Sequence, residues 1–285
     1  MGKNGTLSWA SKNGKLKIVK KLLKDPKVDP SDNLAISEAS KYGHVEIVKL
    51  LMKDPRVDPS QYENDAIELA SRYGHAEIVK ELLKDPRVDP SEYNNYALIE
   101  ASMNGHLEVV KELLKDPRVD PSDGDNQAIS EASEYGHSEV VKELLKDFLV
   151  DPSDNCNYAI TIASQKGHSE VVKQLLKDSR VDPSDNNNEA IRWASENGHL
   201  EVVKELLKDP RVDPSDKNNF AIRLASENGH LEVVKELLKN LLVDPSDDEN
   251  GHLEVVKELM ANKELYLEMF KNHKELMLKE ENKYI

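Results

Sequence analysis

Seven Gly-His pairs, opening at Gly43, Gly74, Gly105, Gly136, Gly167, Gly198 and Gly229, follow one another at intervals of 31 residues. A fixed period of that length excludes most ways of building a single mixed core. It marks an array in which one supersecondary unit is repeated and each copy packs on its neighbours. The unit is cleanest in His199-Leu-Glu-Val-Val-Lys-Glu-Leu-Leu-Lys-Asp-Pro-Arg-Val-Asp-Pro-Ser215.

The repeat from Lys217 to Ser246 shows how each copy is expected to fold. Asn219 precedes Phe-Ala-Ile-Arg-Leu-Ala-Ser-Glu-Asn and then Gly229, and Asn recurs in that slot at Asn33, Asn64, Asn95, Asn126, Asn157 and Asn188. Such an Asn reads as the N-cap of a short first helix, its side-chain oxygen accepting an orphan backbone N–H. Ala221, Ile222 and Ala225 form a stripe that permits close helix packing, and Gly229 reads as a left-handed C′ residue ending the helix. A second helix is expected over about residues 230–239, with Leu231, Val234 and Leu238 on one face and Val233 and Leu237 beside them. All 13 prolines lie in the linkers between repeats. Asp-Pro starts turns and proline removes a ladder donor, so stiff, extended fingers with little β-structure are expected.

Two helices and a finger per repeat, with Phe220-Ala-Ile-Arg-Leu-Ala-Ser-Glu-Asn-Gly-His230 followed by Val-Val-Lys-Glu-Leu-Leu, resemble the ankyrin repeat over nearly the whole chain. The family's usual Thr-Pro and first His are absent here, and the Asn cap is expected to replace their hydrogen bonds. The period is shorter than the family's usual length of about 33, which points to a shortened finger. The variant is similar to arrays abundant in large DNA viruses of amoebae. The resemblance implies an all-α solenoid of stacked helix-turn-helix repeats with Pro-rich finger loops. About eight full repeats and a truncated ninth are expected over residues 1–262. A capping helix carrying Leu265, Met269, Leu276 and Leu278 is expected over residues 263–285, with a docking helix as the alternative.

Charge and composition bound the chemistry. The net charge of −15 argues against a nucleic-acid backbone as partner. The single cysteine, Cys156, excludes an internal disulfide and suits a reducing, cytoplasmic setting. No apolar run reaches the length of a membrane span, and no signal-peptide pattern is present. Eight of the nine histidines stand in the Gly-His slot. Stacked at roughly 10 Å they are too far apart to share a metal, so each is expected to hydrogen-bond the neighbouring repeat. Asp182, Asp185, Asn187 and Glu189 lack the spacing of a calcium loop. No nucleophile–base pair, phosphate loop or zinc motif occurs, so a non-enzymatic protein without cofactor or metal is expected.

Function is expected to lie where the repeats differ. The second helix is nearly constant, whereas variation gathers in the finger, the residue after the Asn, the middle of the first helix and the two residues before Gly. In proteins of the resembled family the finger tips and first-helix ends form the concave binding surface. Tyr42, Tyr62, Tyr73, Tyr93, Tyr96, Tyr135 and Tyr158 occupy the variable slots, with Glu63, Glu92, Asp125 and Glu134 among them. Tyrosine is enriched at interface hot spots, and the acids call for a protein partner with a basic patch, bound by a monomer. Separately, Met1-Gly2-Lys3-Asn4-Gly5-Thr6 fits the pattern for acylation of Gly2. Residues 1–28 carry eight lysines against Asp25 alone, a net of +7, leaving −22 for the remainder of a chain totalling −15. A peripheral membrane adaptor acylated at Gly2 is therefore the alternative expectation.

Overall fold

The computed structural model describes residues 3–31 and 34–240, and among these there are sixteen α-helices and no strand. The chain falls into two compact units, residues 1–151 and 152–285. The first holds the pairs α1 (Lys3–Lys12) and α2 (Leu16–Leu23), α3 (Leu34–Lys41) and α4 (Val45–Leu51), α5 (Gln61–Arg72) and α6 (Ala76–Leu82), α7 (Glu92–Met103) and α8 (Leu107–Leu113), and α9 (Asp123–Glu134) and α10 (Ser138–Leu144). The second holds α11 (Asp154–Lys166) and α12 (Ser169–Leu175), α13 (Asp185–Glu196) and α14 (Leu200–Leu206), and α15 (Asp216–Glu227) and α16 (Leu231–Leu237). Within each unit, first helices pack on first helices and second helices on second helices. The fold is all-α, a stack of helix pairs, as the period requires. The truncated ninth repeat and the helix expected over residues 263–285 lie outside the described residues.

Small residues set the spacing of the first helices. Ala97, Leu98 and Ala101 of α7 are buried, as are Ala66, Ile67 and Ala70 of α5, so neighbouring backbones can approach closely. The second helices bury a narrower face than expected. In α16 it is Val233, Val234 and Leu237 that are buried, while Leu231 and Leu238 remain partly accessible. The helix is only seven residues long, so Leu231 at its start and Leu238 just past its end sit at the rim of the packed face. Each fully buried Val or Leu contributes roughly 1.5–3 kcal/mol.

Glycine ends each first helix in the expected left-handed conformation, as Gly105 does at φ 72°. The linkers, by contrast, are not extended fingers. They are successions of turns in which Val88 is fully buried and Pro90 is also buried. The reason is local: Asp116 accepts the backbone N–H of Arg118 at 3.1 Å and its Nε–H at 2.9 Å, folding Asp-Pro-Arg into a tight turn. The same Arg118 then donates at 2.7 Å to the carbonyl of Val88, one repeat back.

A second departure concerns the helix starts. α5, α7, α9, α11, α13 and α15 each open with three consecutive residues in left-handed conformation, for instance Tyr93, Asn94 and Asn95 at φ 51°, 57° and 60°. The recurrent Asn closes this turn and is not the N-cap of its own helix. At Asn64, Asn95, Asn126, Asn157 and Asn188 its side chain points to the next repeat instead.

Candidate functional site

The invariant positions are built into ties between repeats. In the first unit, the Oδ1 of Asn95 accepts the backbone N–H of Asp120 at 3.1 Å, and its Nδ2 donates to Asp123 at 2.7 Å. Asn64 does the same for Asp89 and Glu92. In the second unit Asn157 ties to Asp182 and Asp185, and Asn188 to Asp213 and Asp216. The histidines hydrogen-bond the neighbouring repeat, as expected. His75 Nε2–H donates to Lys41 O, His137 to Met103 O and, in the second unit, His199 to Gln165 O, at 2.9–3.1 Å. Among the described residues no three His, Cys, Asp or Glu side chains converge as metal ligands would.

Against this fixed scaffold the variable slots of the first unit make two rows. One row lies at the ends of the first helices. There Tyr42, Tyr73 and Tyr135 are exposed directly before Gly, where Asn13 and Asn104 instead cap the helix by donating to the carbonyls of Trp9 and Glu100. Lys12 and Lys41 lie over the Tyr42 ring at 5.1 and 5.8 Å, and Lys41 also lies over Tyr73 at 5.5 Å. The Tyr42 hydroxyl, with Glu38 behind it, holds the Lys12 ammonium above its ordinary pKa. The other row lies in the left-handed turns, where Tyr62, Glu63, Tyr93 and Asp125 are all exposed. The Tyr93 hydroxyl is bonded to the Glu63 carboxylate, which pushes its pKa up to about 12. Six of the seven named tyrosines are 42–58% exposed, Tyr158 of the second unit among them, so large rings stand at the surface at positions the scaffold leaves free.

Three of the named residues are engaged within the array. Glu92 holds Asn64 and is half-buried. Glu134 is likewise half-buried and makes an interaction of its own. Tyr96 is half-buried in a cluster that reasoning from the sequence did not find. Arg72 grips the buried Glu100 with two bonds of 2.9 Å, reaches Glu68 at 3.0 Å, and donates to Tyr96 Oη at 3.3 Å. Burial alone would raise the pKa of Glu100, but the bonds from Arg72 and Tyr96 outweigh it and hold the carboxyl below its usual range. Burial dominates at Glu68, whose pKa is raised. Gly2 lies outside the described residues.

The slot two residues before Gly carries Lys12, Lys41, Arg72, Met103 and Glu134 along the first unit, and Gln165, Glu196 and Glu227 along the second. Its sign therefore reverses within the first unit. One linker has Phe148-Leu149 where four others have Pro-Arg, and Phe148 is 86% exposed. In the second unit the rings of Phe220 and Trp193 are flanked by charge. Arg192 and Arg223 stack on Phe220 at 5.7 and 5.6 Å, and Trp193 Nε1–H donates to Glu189 at 3.2 Å.

Compared with known protein families, the chain matches the one described as ankyrin repeats (3 copies), at residues 7–94, 69–156, 132–218 and 160–248. No curated protein matches it.

Proposed function

The chain belongs to the ankyrin repeat family, whose repeats are protein–protein interaction modules, and from that premise we propose that it is a non-enzymatic, monomeric scaffold of the cytoplasm. Its partner is a protein bound along the first-helix ends and left-handed turns. Tyr42, Tyr62, Tyr73, Tyr93, Tyr135 and Tyr158 supply the rings, Tyr96 supports them, and Glu63, Asp125 and Glu134, with Glu92 at the rim, meet Lys or Arg on the partner. The observation that supports this reading is the exposure of six large rings in slots that vary, beside a scaffold whose constant residues are buried or tied. Exposed aromatic side chains anchored on rigid elements are the material of hot spots, each worth roughly 2 kcal/mol or more. Acidic neighbours make the attachment weaken as salt rises.

The test is the combined Tyr62, Tyr73, Tyr93 and Tyr135→Ala variant. It is expected to melt as the parent does and to lose the proteins that the parent captures from its native cell. Undiminished capture by the folded variant would place the surface elsewhere.

A second reading, an adaptor held at the membrane by an acyl chain on Gly2, is favoured by the run of lysines in the first repeat. Mass spectrometry of the protein made in a eukaryotic cell decides it. An unmodified Gly2 or a retained Met1 removes it.

A further inference from the structure

In the first unit, side chains of one helix pair reach back to the pair before it. His106 reaches back to the carbonyl of Arg72, Glu100 to the Arg72 guanidinium, and Glu77 to Lys49 at 2.7 Å. Between them an aliphatic residue is buried at every step: Ile47, Ile78, Val109 and Val140 are 0–2% exposed. The first pair holds different residues in these slots. Lys15 replaces the His, Trp9 stands where Glu100 does, Lys17 replaces the Glu, and Ile18 is the aliphatic. One turn further on, Lys21 replaces Glu81. Among the described residues nothing covers this end. Trp9 is 45% and Ile18 40% exposed, and the three lysines are exposed with them.

The charge is of one sign and unpaired. In the fourth pair the outer face of the second helix is neutralised by Lys111–Glu108 at 2.7 Å and Lys115–Glu112 at 2.6 Å. With lysine at both acidic slots, α2 and the residue after it carry Lys17, Lys20, Lys21 and Lys24, and none has an ion-pair partner among the described residues. A face meant only to keep the array soluble would mix signs and leave no indole in water. Nor is it shaped for another repeat or a second copy of this chain. The His that locks onto a preceding Gly is missing. Lys17 would also meet the lysine that every second helix carries at the position of Lys20, Lys49, Lys80 and Lys111.

We propose that this end of α1 and α2 docks on an anionic lipid bilayer, with Trp9 and Ile18 entering the interfacial layer and Lys15, Lys17 and Lys21 lying against the headgroups. Tryptophan favours that layer because its ring is apolar and its N–H polar. Each lysine held near an anionic leaflet strengthens attachment about fivefold. Residues 1–28 carry +7 although the whole chain carries −15. The array meets a flat surface end-on, and successive pairs are spaced by roughly 10 Å, beyond the screening length of about 8 Å at physiological salt. The acidic pairs are therefore shielded from the surface that the first pair touches. A nucleic acid fits less well. A duplex presents phosphates but no apolar layer to take up the exposed Trp9 and Ile18. The docking needs no acyl chain, so it and the acylation of Gly2 fail separately.

The test is co-sedimentation of the full chain, made without acylation, with phosphatidylcholine vesicles that do or do not contain about one third phosphatidylserine. Binding is expected only to the anionic vesicles and is expected to vanish near about 1 M salt, where the screening length is about 3 Å. Lys17→Glu with Lys21→Glu installs the residues that later pairs carry, so the fold is kept, and it should weaken partitioning by about tenfold or more. The Lys17→Arg, Lys21→Arg pair should retain binding. In a Trp193→Phe background, Trp9 fluorescence should shift to the blue on binding. Equal sedimentation with neutral vesicles, binding undiminished by the glutamates, or a DNA duplex competing as well as anionic vesicles would each overturn the proposal.

Discussion

The imidazole of His106 occupies the place that a side chain on Gly74 would need. A Cβ built on Gly74 would lie 2.7 Å from His106 Nδ1, and the ring's Nε2–H donates at 3.0 Å to the carbonyl of Arg72. Gly74 also sits at φ 80°, so two independent demands, conformation and space, fall on one residue.

Gly74→Ala should therefore cost about 2–4 kcal/mol, combining left-handed strain with overpacking. His106→Ala should cost about 1–3 kcal/mol by leaving the Arg72 carbonyl without its donor. Because both act on one contact, the double variant should lose less than the sum of the two. Urea denaturation of the four proteins measures this coupling, and strict additivity would mean that the ring and the glycine do not meet.

Asn95 distinguishes a tie from a cap. A helix cap tolerates exchange of Asn for Ser. Asn95 instead spans the gap to Asp120 N and Asp123 Oδ2, a reach that serine lacks. Both Asn95→Ala and Asn95→Ser should destabilise by about 1–3 kcal/mol. A serine variant as stable as the parent would restore the capping role.

The Ala-Ser step of each first helix hides a hydroxyl. The Oγ atoms of Ser71, Ser102 and Ser133 are buried with no protein hydrogen-bond partner. An unmet hydroxyl in an apolar setting is unfavourable, and alanine is the better helix former. Ser102→Ala should thus raise stability by up to about 1 kcal/mol, seen as a higher midpoint in urea. A fall of similar size would show that the hydroxyl is satisfied.

The linker aspartates make the array sensitive to acid. Hydrogen bonds from Arg118 hold the Asp116 carboxyl below its ordinary pKa despite burial that pushes it up, and Asp54, Asp85, Asp178 and Asp209 are shifted the same way by their own arginines. A depressed folded-state pKa means stability that is present above the unfolded value of about 3.9 and lost as pH falls through the folded one. Asp116→Asn should be less stable than the parent at neutral pH, and the difference should shrink below about pH 4. Melting curves recorded across that range test it, and a constant difference would remove the carboxylate's charge from the account.

Residues close together in the chain already carried the plan of helix pairs. The apolar Val-Val and Leu steps and the left-handed Gly follow from helix geometry within one repeat, where spacing is visible as pattern, and the 31-residue interval of the Gly-His pairs shows that the unit recurs. The surface rings were legible too, because Tyr62, Tyr73 and Tyr135 interrupt an otherwise constant text. What stacking alone decided is which repeat a side chain serves. Asn95 looks like a cap until the next linker arrives beside it, 25 residues on. Arg72 reads as an ordinary cation at a helix end until Glu100, 28 residues later, is buried against it. Lys17 and Ile18 look like any second-helix residues until their exposure in the fold is compared with the burial of Ile47 and Ile78. A periodic sequence looks the same whether a side chain turns to the repeat before, the repeat after or solvent. Only the direction of stacking, set by close packing of the small residues of the first helices, breaks that equivalence.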